Sequence, residues 1–354
     1  MSDDDSAVKE SFNCPVPLSE YPRIVLAHGS GGKLTHQLIQ DLFLHSFSNP
    51  LLEPLHDGAV MNLQNLTLAF TTDSYVVDPV FFPGGDIGDL AVNGTVNDLA
   101  MCGAQPLWLS AAFIIEEGFS MDDLSRIVTS MKLAADKAGV LIVTGDTKVV
   151  DKGKGDKIFI TTSGIGTLDV QNTISPKNAR AGDKIIISGD IAVHGIAIMS
   201  VREGLKFETE IKSDTAPVHE MVGAIQRISK NIHVLRDPTR GGVASTLNEI
   251  AHSSHVGVSL IQNALPVPDA VNSACELLGL DPLYVANEGK FLAIVGAEDV
   301  EKILECLRKH PLGKHAAMIG EIVGEHPGVV VMKTSIGGSR IVDMLSGEQL
   351  PRIC

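Results

Sequence analysis

The sequence predicts an α/β (α+β) protein of two domains, each a mixed sheet covered by helices. Three observations support this prediction. The chain has 354 residues, which is too long for one ordinary hydrophobic core. Strand-like apolar runs alternate with amphipathic helical segments at uneven spacing in both halves. A segment rich in proline, glycine and charge, 175–184, separates the halves and is the best candidate for a domain boundary.

The first half, 24–174, is predicted to form one domain. A short strand at 24–28 meets the glycine loop HGSGGKLT (28–35), and a helix follows. The later segments read in turn as a strand, a small-residue helix, a buried strand, an amphipathic helix and two strands, at 65–77, 85–104, 107–115, 124–138, 140–150 and 157–166.

The second half, 175–335, repeats this pattern. Its clearest elements are a strand at 184–189, a helix that follows DPTRGG (237–242), and an amphipathic helix at 300–309. Beyond residue 335 the pattern decays, so 336–354 is expected to be a flexible tail that ends on Cys354.

Composition limits the classes of partner. The net charge is −15, from 43 acidic and 28 basic residues, which disfavours nucleic acid and anionic membrane surfaces. No apolar run reaches membrane-spanning length, and residues 1–23 read as an acidic extension rather than a secretion signal. The five cysteines are scattered without a Cys-x-x-Cys pair. We therefore expect a reduced, cytoplasmic protein with no nucleic-acid or membrane partner.

Two glycine-rich segments are candidates for binding phosphate. Lys33 is followed by Leu34, so the first segment fits neither the P-loop nor the dinucleotide pattern. Its glycines Gly31 and Gly32 could cover phosphates, and a plain turn is equally open. DPTRGG places Arg240 and Gly241 at a helix start, where backbone amides and the helix dipole favour anions.

A set of aspartates lies where strands end or helices begin. One such residue alone is most often a helix N-cap. Together, and close to Gly, Thr, Ser or Asn, they resemble an oxygen-rich site at which Mg²⁺ holds a nucleotide's phosphates. The five positions are Asp57, Asp73, Asp98, Asp146 and Asp237.

Three further residues are candidates for catalysis. Lys148 and Glu288 are charged residues in apolar strands, where an ion pair at a strand edge and a proton-transfer pair are both open. Cys354 is the last residue, and the nearby Arg352 would favour its thiolate form, although an accidental terminal cysteine is the alternative.

Several motifs together resemble the HypE family of hydrogenase maturation proteins, which are carbamoyl dehydratases. The resemblance runs from about Ile24 to Cys354. The wider aminoimidazole ribonucleotide synthetase-like superfamily shares the aspartate pattern but not the terminal Pro-Arg-Ile-Cys. The motifs are AHGSGGK, TTDSYVVDPVFFPGGDIGDLAVNGTVNDLAMCGA, VTGDTKVV, LRDPTRGGV, ANEGK, HPLGKHAAMIGE and PRIC.

The resemblance implies an aminoimidazole ribonucleotide synthetase-like fold and an ATP-dependent dehydration. A carbamoyl group on the Cys354 sulfur would become a thiocyanate, the source of cyanide ligands for the iron of nickel–iron hydrogenase. Lys148 and Glu288 would orient and deprotonate the carbamoyl nitrogen. The implied metal ligands are Asp57, Asp98 and Asp237, and the implied ATP-binding residues are Gly31, Gly32, Asp73, Asp98, Asp146, Thr147, Arg240 and Gly241.

The resemblance also implies partners. They are a second copy of the chain, paired through strands of the N-terminal domains, a HypF-type carbamoyltransferase that loads the thiol, and a HypC–HypD complex that accepts cyanide. His56 stands where related enzymes often carry another Asp, so the number of Mg²⁺ ions stays open.

Two other functions remain as alternatives. One is a small-molecule ATP-dependent synthetase or kinase of the same superfamily, although a selenophosphate synthetase would carry a reactive residue where this chain has Ser30 and Gly31. The other is a non-enzymatic scaffold that uses the tail thiol for docking.

Overall fold

A computed structural model describes residues 23–168, 174–204, 210–347 and 352–353. The predicted extension 1–23 therefore lies outside the described residues except for Arg23, and so does Cys354. Within the described residues the chain forms two large mixed sheets; one lies within 24–174, and the other lies within 175–335 except for its last strand.

The N-terminal sheet has five strands. They are β1 (Ala59–Leu63), β2 (Leu66–Tyr75), β5 (Gln105–Glu116), β6 (Leu141–Val150) and β7 (Ile158–Leu168). A small hairpin, β3 (Phe81–Phe82) and β4 (Gly85–Asp86), stands apart. The order in the sheet is β1-β2-β7-β5-β6, with only β5 and β6 parallel. This order puts β6 at one edge, far from β2.

Two helices cover one face of this sheet. In α3 (Ile87–Met101) the Asp86 carboxylate caps the helix by accepting from the amides of Gly88 and Asp89. Small residues let α3 approach the sheet closely, since a Cβ on Gly94 would lie 2.1 Å from the Tyr75 hydroxyl. The helix α4 (Met121–Ala138) starts at the Ser120 cap and ends at a left-handed glycine.

The N-terminal region before β1 is helical. It contains α1 (Lys33–Leu38), a π-helical stretch (Ile39–Leu44) and α2 (His45–Phe47). The predicted strand at 24–28 is wrong, because Leu26–Gly29 forms a 3₁₀ turn. The apolar run 24–28 has no neighbouring strand to pair with among the described residues, and its residues Ile24 and Leu26 are exposed.

The C-terminal sheet has seven strands in the order β14-β13-β10-β12-β8-β11-β9. Only β10 and β13 are parallel neighbours. The strands are β8 (Lys184–Ile187), β9 (Ile232–Arg236), β10 (Gly257–Ile261), β11 (Leu292–Val295), β12 (Ala317–Val323), β13 (Val330–Lys333) and β14 (Ser339–Ile341).

Helices pack on both faces of the C-terminal sheet. Ile185 and Ile187 on β8 pack in a core with residues of α7, while Ile186 packs with residues of α6 and α9. Central strands buried on both faces read as continuous apolar runs, which explains the pattern KIII. The helices are α5 (Val193–Arg202), α6 (His219–Ile228), α7 (Gly242–Ser254), α8 (Asp269–Leu278) and α9 (Val300–Lys309).

The segment expected to be a tail begins with regular structure. Strand β14 pairs antiparallel with β13, and beyond it Val342 and Leu345 are buried. The prediction of a tail from residue 336 is corrected on this point, because few apolar residues suffice for an edge strand whose backbone pairs with β13.

Candidate active site

An acid-lined cleft of about 240 Å³ lies where the two sheets approach each other. Strand β2 and helix α3 line one wall, while the loop from β9 to α7 and the loop before β11 line the other. Of the predicted site residues, it contains Asp57, Asp73, Asp98, Asp237, Arg240 and Glu288.

Strand alternation points a row of polar side chains of β2 toward α3. Thr71, Asp73 and Tyr75 share this face. The Thr71 hydroxyl lies 2.7 Å from Asp98 Oδ2 and 2.7 Å from the Asp57 carbonyl oxygen. The Tyr75 hydroxyl donates to Asp73 Oδ2 at 2.9 Å. These contacts hold two of the predicted aspartates at defined positions.

Arg236 is the cation at the centre of the acidic cluster. Its Nε lies 2.6 Å from Asp57 Oδ1, and its Nη2 lies 2.8 Å from Glu249 Oε2. Burial alone would lower the pKa of Arg236, but the charges of Asp57 and Glu249 outweigh burial and raise it. The guanidinium therefore stays charged and offsets part of the negative charge.

The buried carboxyls hold their protons more tightly than usual. Burial, reinforced by neighbouring carboxylates, raises the pKa of Asp57, Asp98 and Glu288 well above their ordinary values. The pKa of Asp237 rises to about 6 by burial, although Arg236 opposes this. The cluster therefore has too little positive charge to balance its carboxylates. Such a cluster can bind a cation, and a carboxylate in it can act as a base.

The two glycine-rich segments pack on each other beside Arg240, which lines the cleft, whereas Gly31, Gly32 and Gly241 are not part of its lining. Gly31 has φ +74°, and a Cβ there would lie 2.6 Å from the Arg240 carbonyl oxygen. Arg240 in turn donates from Nη1 to the Gly29 carbonyl at 3.0 Å. A Cβ on Gly241 would lie 2.3 Å from Ser245 Oγ, at the start of α7. Close packing therefore requires glycine at both positions.

Gly32 lies in the same contact zone. A Cβ on Gly32 would lie 2.3 Å from the Leu345 carbonyl oxygen, and the Lys33 amide donates to that oxygen at 2.9 Å. Residues just after β14 thus fix the glycine loop near the amino end of α7, where the helix dipole favours anions.

The structure does not bring Asp146, Thr147 and Lys148 to this cleft. They lie on the edge strand β6, where Lys148 Nζ pairs with Asp146 Oδ2 at 2.8 Å and both side chains are about two-thirds exposed, at 68% and 64%. Register places Asp73 opposite Thr162, and Ala111 between Thr162 and Gly145. Three strand spacings amount to about 14 Å. Within one chain, Lys148 and Glu288 therefore do not form a pair.

Sequence reasoning missed several residues of the cleft. Arg236 and Glu249 neutralise and extend the acidic cluster, and Thr71 and Tyr75 fix its aspartates. The motif LRDPTRGG contained a signal for Arg236, because a cation that ends a buried strand needs an acidic partner.

The donor set fits a divalent cation bound together with phosphates. Asp57 Oδ2 is buried without a hydrogen-bond partner, and Asp57 shares the Arg236 guanidinium with Glu249. Within the parts of the chain that the structure describes, no three His, Cys, Asp or Glu side chains hold a metal by themselves. Magnesium commonly takes one or two carboxylates and completes its shell with phosphate oxygens and water.

Comparison with known families places the fold and cleft in a class. Residues 55–168 match the family described as "AIR synthase related protein, N-terminal domain", and residues 180–333 match its C-terminal domain. The chain is therefore an AIR synthase related protein with both the N-terminal and the C-terminal domain of that family.

Relatives narrow this class. Carbamoyl dehydratase HypE of Azotobacter vinelandii is 53% identical over 94% of this chain and 97% of its own length. The protein of the same name from Cupriavidus necator is 54% identical over 98% and 99%, and that of Escherichia coli is 46% identical over 94% and 99%. The chain belongs to the HypE family of carbamoyl dehydratases.

Solved structures agree. A HypE–HypF complex matches with a TM-score of 0.83 and 50% identity, covering 87% of this chain and 99% of that chain. HypE in complex with ATP matches with a TM-score of 0.80 and 51% identity, covering 94% and 100%. A thiamine monophosphate kinase at 18% identity and a TM-score of 0.61 shares the fold. No helix among the described residues is long and apolar enough to cross a membrane.

Proposed function

We propose that this chain dehydrates a carbamoyl group carried on its own Cys354, at the expense of ATP, to give a thiocyanate. The thiocyanate would supply cyanide ligands for the iron of nickel–iron hydrogenase. The observation that carries the proposal is the position of Ile353, the residue before Cys354. Ile353 is 2% exposed and packs in the same core cluster as Ala286, two residues from Glu288.

The reaction balances with ATP as second substrate. The carbamoyl oxygen takes the γ-phosphoryl group, and ADP leaves. The nitrogen gives up its two protons, the carbon–oxygen bond breaks, and a C≡N triple bond remains on the sulfur. The carbamoyl oxygen departs within inorganic phosphate, so the carrier loses the elements of one water.

Glu288 is the candidate base for the nitrogen protons. It is 4% exposed, and burial among carboxylates raises its pKa. An ionised carboxyl with a raised pKa is a stronger base than an ordinary glutamate, which suits removal of a weakly acidic N–H proton. Within the described residues no ion pair joins Glu288 to a cation, so a cation delivered from elsewhere would complete its environment.

Asp57, Asp98 and Asp237 would hold Mg²⁺ with the phosphates of ATP, supported by Asp73. When bound, Mg²⁺ neutralises charge on the phosphates and aligns the group to be transferred. Gly31, Gly32, Arg240 and Gly241 would contact the phosphates, since the two glycine segments meet there. The ion pair with Arg236 fixes the position of the Asp57 carboxylate.

The edge strand β6 supports a homodimer. Leu141, Val143 and Val149 on β6 are 64%, 58% and 67% exposed, and the sheet face away from α3 exposes Phe70 and Trp108. An unpaired apolar edge of this kind calls for a partner. A second copy paired here would bring Asp146, Thr147 and Lys148 toward the cleft of its neighbour, where Lys148 supplies the cation that faces Glu288.

The proposal also covers the partner proteins, the cellular compartment and the domain bounds. A HypF-type carbamoyltransferase would load the thiol and a HypC–HypD complex would accept the cyanide; the solved complex of a relative with HypF supports the first. A reactive thiol requires a reducing compartment, which supports the cytoplasm. The domains 24–174 and 175–335 stay as proposed from the sequence.

Intact mass spectrometry tests the function. Chain carbamoylated at Cys354 is incubated with ATP and Mg²⁺, and we expect loss of the mass of one water together with ADP formation. Glu288→Gln is expected to bind ATP but to retain the carbamoyl mass. ADP formation without any change in the mass of the carrier would contradict the proposal and favour a kinase or synthetase.

A further inference from the structure

The last two described residues occupy a slot between the N-terminal hairpin region and helix α5. The Asp78 amide donates to the Arg352 carbonyl oxygen at 3.2 Å, and the Arg202 guanidinium donates to the same oxygen. His194 Nε2 lies 2.9 Å from the Ile353 carbonyl oxygen. The slot therefore contacts two successive carbonyl groups of the backbone.

Side chains add to this docking. Arg352 Nη1 pairs with Asp156 Oδ2 at 2.9 Å, while the Ile353 side chain is buried in the N-terminal core. Arg352 has φ +52°, a left-handed conformation that is unfavourable for a non-glycine residue. The hydrogen bonds to its carbonyl offset this cost, so the bent backbone belongs to the docked arrangement.

A chain of hydrogen bonds determines which nitrogen of His194 carries the proton. The Thr215 amide donates to Ser213 Oγ at 3.2 Å, so the Ser213 hydroxyl is free to donate to His194 Nδ1, 2.8 Å away. Nδ1 thus accepts, and Nε2–H donates to the Ile353 carbonyl, which can only accept. The ring is fully buried and forms a T-shaped contact with Phe82, with 5.7 Å between the ring centroids.

None of these atoms touches the acid-lined cleft. His194, Ser213 and Arg202 are absent from its lining, and the contact of His194 is with the peptide group that joins Ile353 to Cys354. A bond at this peptide restricts where the next residue can go, because one peptide step spans only about 3.8 Å.

We propose that His194, oriented by Ser213, is a positioning residue that holds the chain end so that Cys354 is presented to the cleft. This inference rests on the proposed function, in which Cys354 carries the substrate. His194 acts on the carrier segment and not on ATP. Loss of its hydrogen bond should therefore lower the rate of dehydration and leave ATP affinity unchanged.

Four variants test this role. His194→Leu removes the donor, and His194→Gln replaces it with an amide N–H that can reach the Ile353 carbonyl. Ser213→Ala leaves the ring but removes the hydroxyl that selects its protonated nitrogen. His219→Phe is the control. His219 is also a buried histidine on a helix, but within the described residues no hydrogen bond joins it to the chain end.

Two measurements are made on each full-length variant. The first is the alkylation rate of Cys354 by iodoacetamide in uncarbamoylated chain with Mg²⁺ and ATP, followed by mass spectrometry of the C-terminal peptide. The second is the single-turnover rate of water loss from carbamoylated chain, with ATP affinity measured beside it. His194→Leu should raise the alkylation rate several-fold and lower the turnover rate by about ten-fold or more.

The pattern across variants decides the outcome. We expect ATP affinity unchanged, recovery in His194→Gln, a partial loss in Ser213→Ala and wild-type behaviour in His219→Phe. Equal alkylation in all variants, or a turnover loss matched by an equal loss of ATP affinity, would overturn the proposal. If wild-type chain loses no water but its alkylation responds to His194→Leu, the dehydratase function fails while the docking role stands.

Discussion

Arg236 is the residue on which the charge balance of the cleft depends. Its side chain is 13% exposed and pairs with Asp57 and Glu249, so its removal leaves two acidic groups without their cation. Removing one partner of a buried pair costs more than the pair itself contributes, since an uncompensated charge stays behind.

Arg236→Met is therefore expected to lower the free energy of unfolding by about 3–5 kcal/mol, measured by urea denaturation near neutral pH. Lys132→Met is the matched control, because its pair with Asp136 is exposed, with side chains 69% and 55% accessible. That change should cost about 0.5 kcal/mol or less. Similar losses in the two variants would contradict a dominant role for Arg236.

His194 gives the molecule a defined response to acid. Burial lowers its pKa to about 4, and the bond to Ile353 only partly opposes this. The folded state therefore favours the neutral ring. The resulting stability is present above the unfolded pKa of about 6.5 and is lost as the pH falls through the folded value.

His194→Gln cannot be protonated, so its stability relative to wild type should depend on pH in this window. The wild-type advantage measured near neutral pH should shrink by up to about 3 kcal/mol as the pH falls from about 6.5 to 4. Urea denaturation of both proteins at each pH supplies the difference. A difference that stays constant with pH would show that His194 does not titrate in this range.

At the scale of elements, the glycine loop and the start of α7 work as one unit. Gly31 has a left-handed backbone and also lies against the Arg240 carbonyl, whereas Gly153 has a similar φ of +78° with nothing within 4 Å of a Cβ. Substitution at Gly153 would therefore report backbone strain alone, whereas substitution at Gly31 would report backbone strain together with a steric clash.

The variants Gly31→Ala and Gly153→Ala test whether the glycine loop and the start of α7 act together. Both substitutions should cost about 1–2 kcal/mol of stability through the left-handed backbone. Only Gly31→Ala should also weaken ATP binding, by about ten-fold, because the loop must move away from Arg240. Isothermal titration with ATP and Mg²⁺ measures this, and equal affinities in the two variants would exclude a role of the loop in nucleotide binding.

The elements also show what a sequence can and cannot predict. Most strands and helices were predictable because alternation and helical stripes reflect burial within one element. The five acidic residues of the cleft come from different kinds of element: Asp73 lies near the end of β2, Asp98 lies in the last turn of α3, and Asp57, Asp237 and Glu288 lie in loops next to strands. The position of Lys148 was not predictable, because it depends on the strand order, which is set by long-range pairing that no local pattern encodes.

At the scale of the whole molecule, the separation of Lys148 from Glu288 within one chain points to a site shared between two chains. Strand β6 lies at the edge of its sheet, and its apolar residues Leu141, Val143 and Val149 are exposed, which supports this arrangement. A two-fold symmetric dimer would then contain two equivalent shared sites.

Mixing two inactive variants tests shared sites. Lys148→Ala and Glu288→Gln should each lose dehydration, and equal amounts refolded or exchanged together should recover activity. Random pairing gives one intact site in each mixed dimer, or about one quarter of wild-type activity. Absence of recovery, with mixed dimers demonstrated by native mass spectrometry, would show that Lys148 serves its own chain or has no catalytic role.

The central claim is that the cleft uses ATP to remove the oxygen of a carbamoyl group held on Cys354. The most direct measurement follows that oxygen. Chain carbamoylated with the heavy oxygen isotope is given ATP and Mg²⁺ in ordinary water, and the inorganic phosphate is collected. We expect one heavy oxygen in phosphate for each Cys354 converted to thiocyanate. Label that remains on the protein or passes to water, while ADP accumulates, would contradict the account.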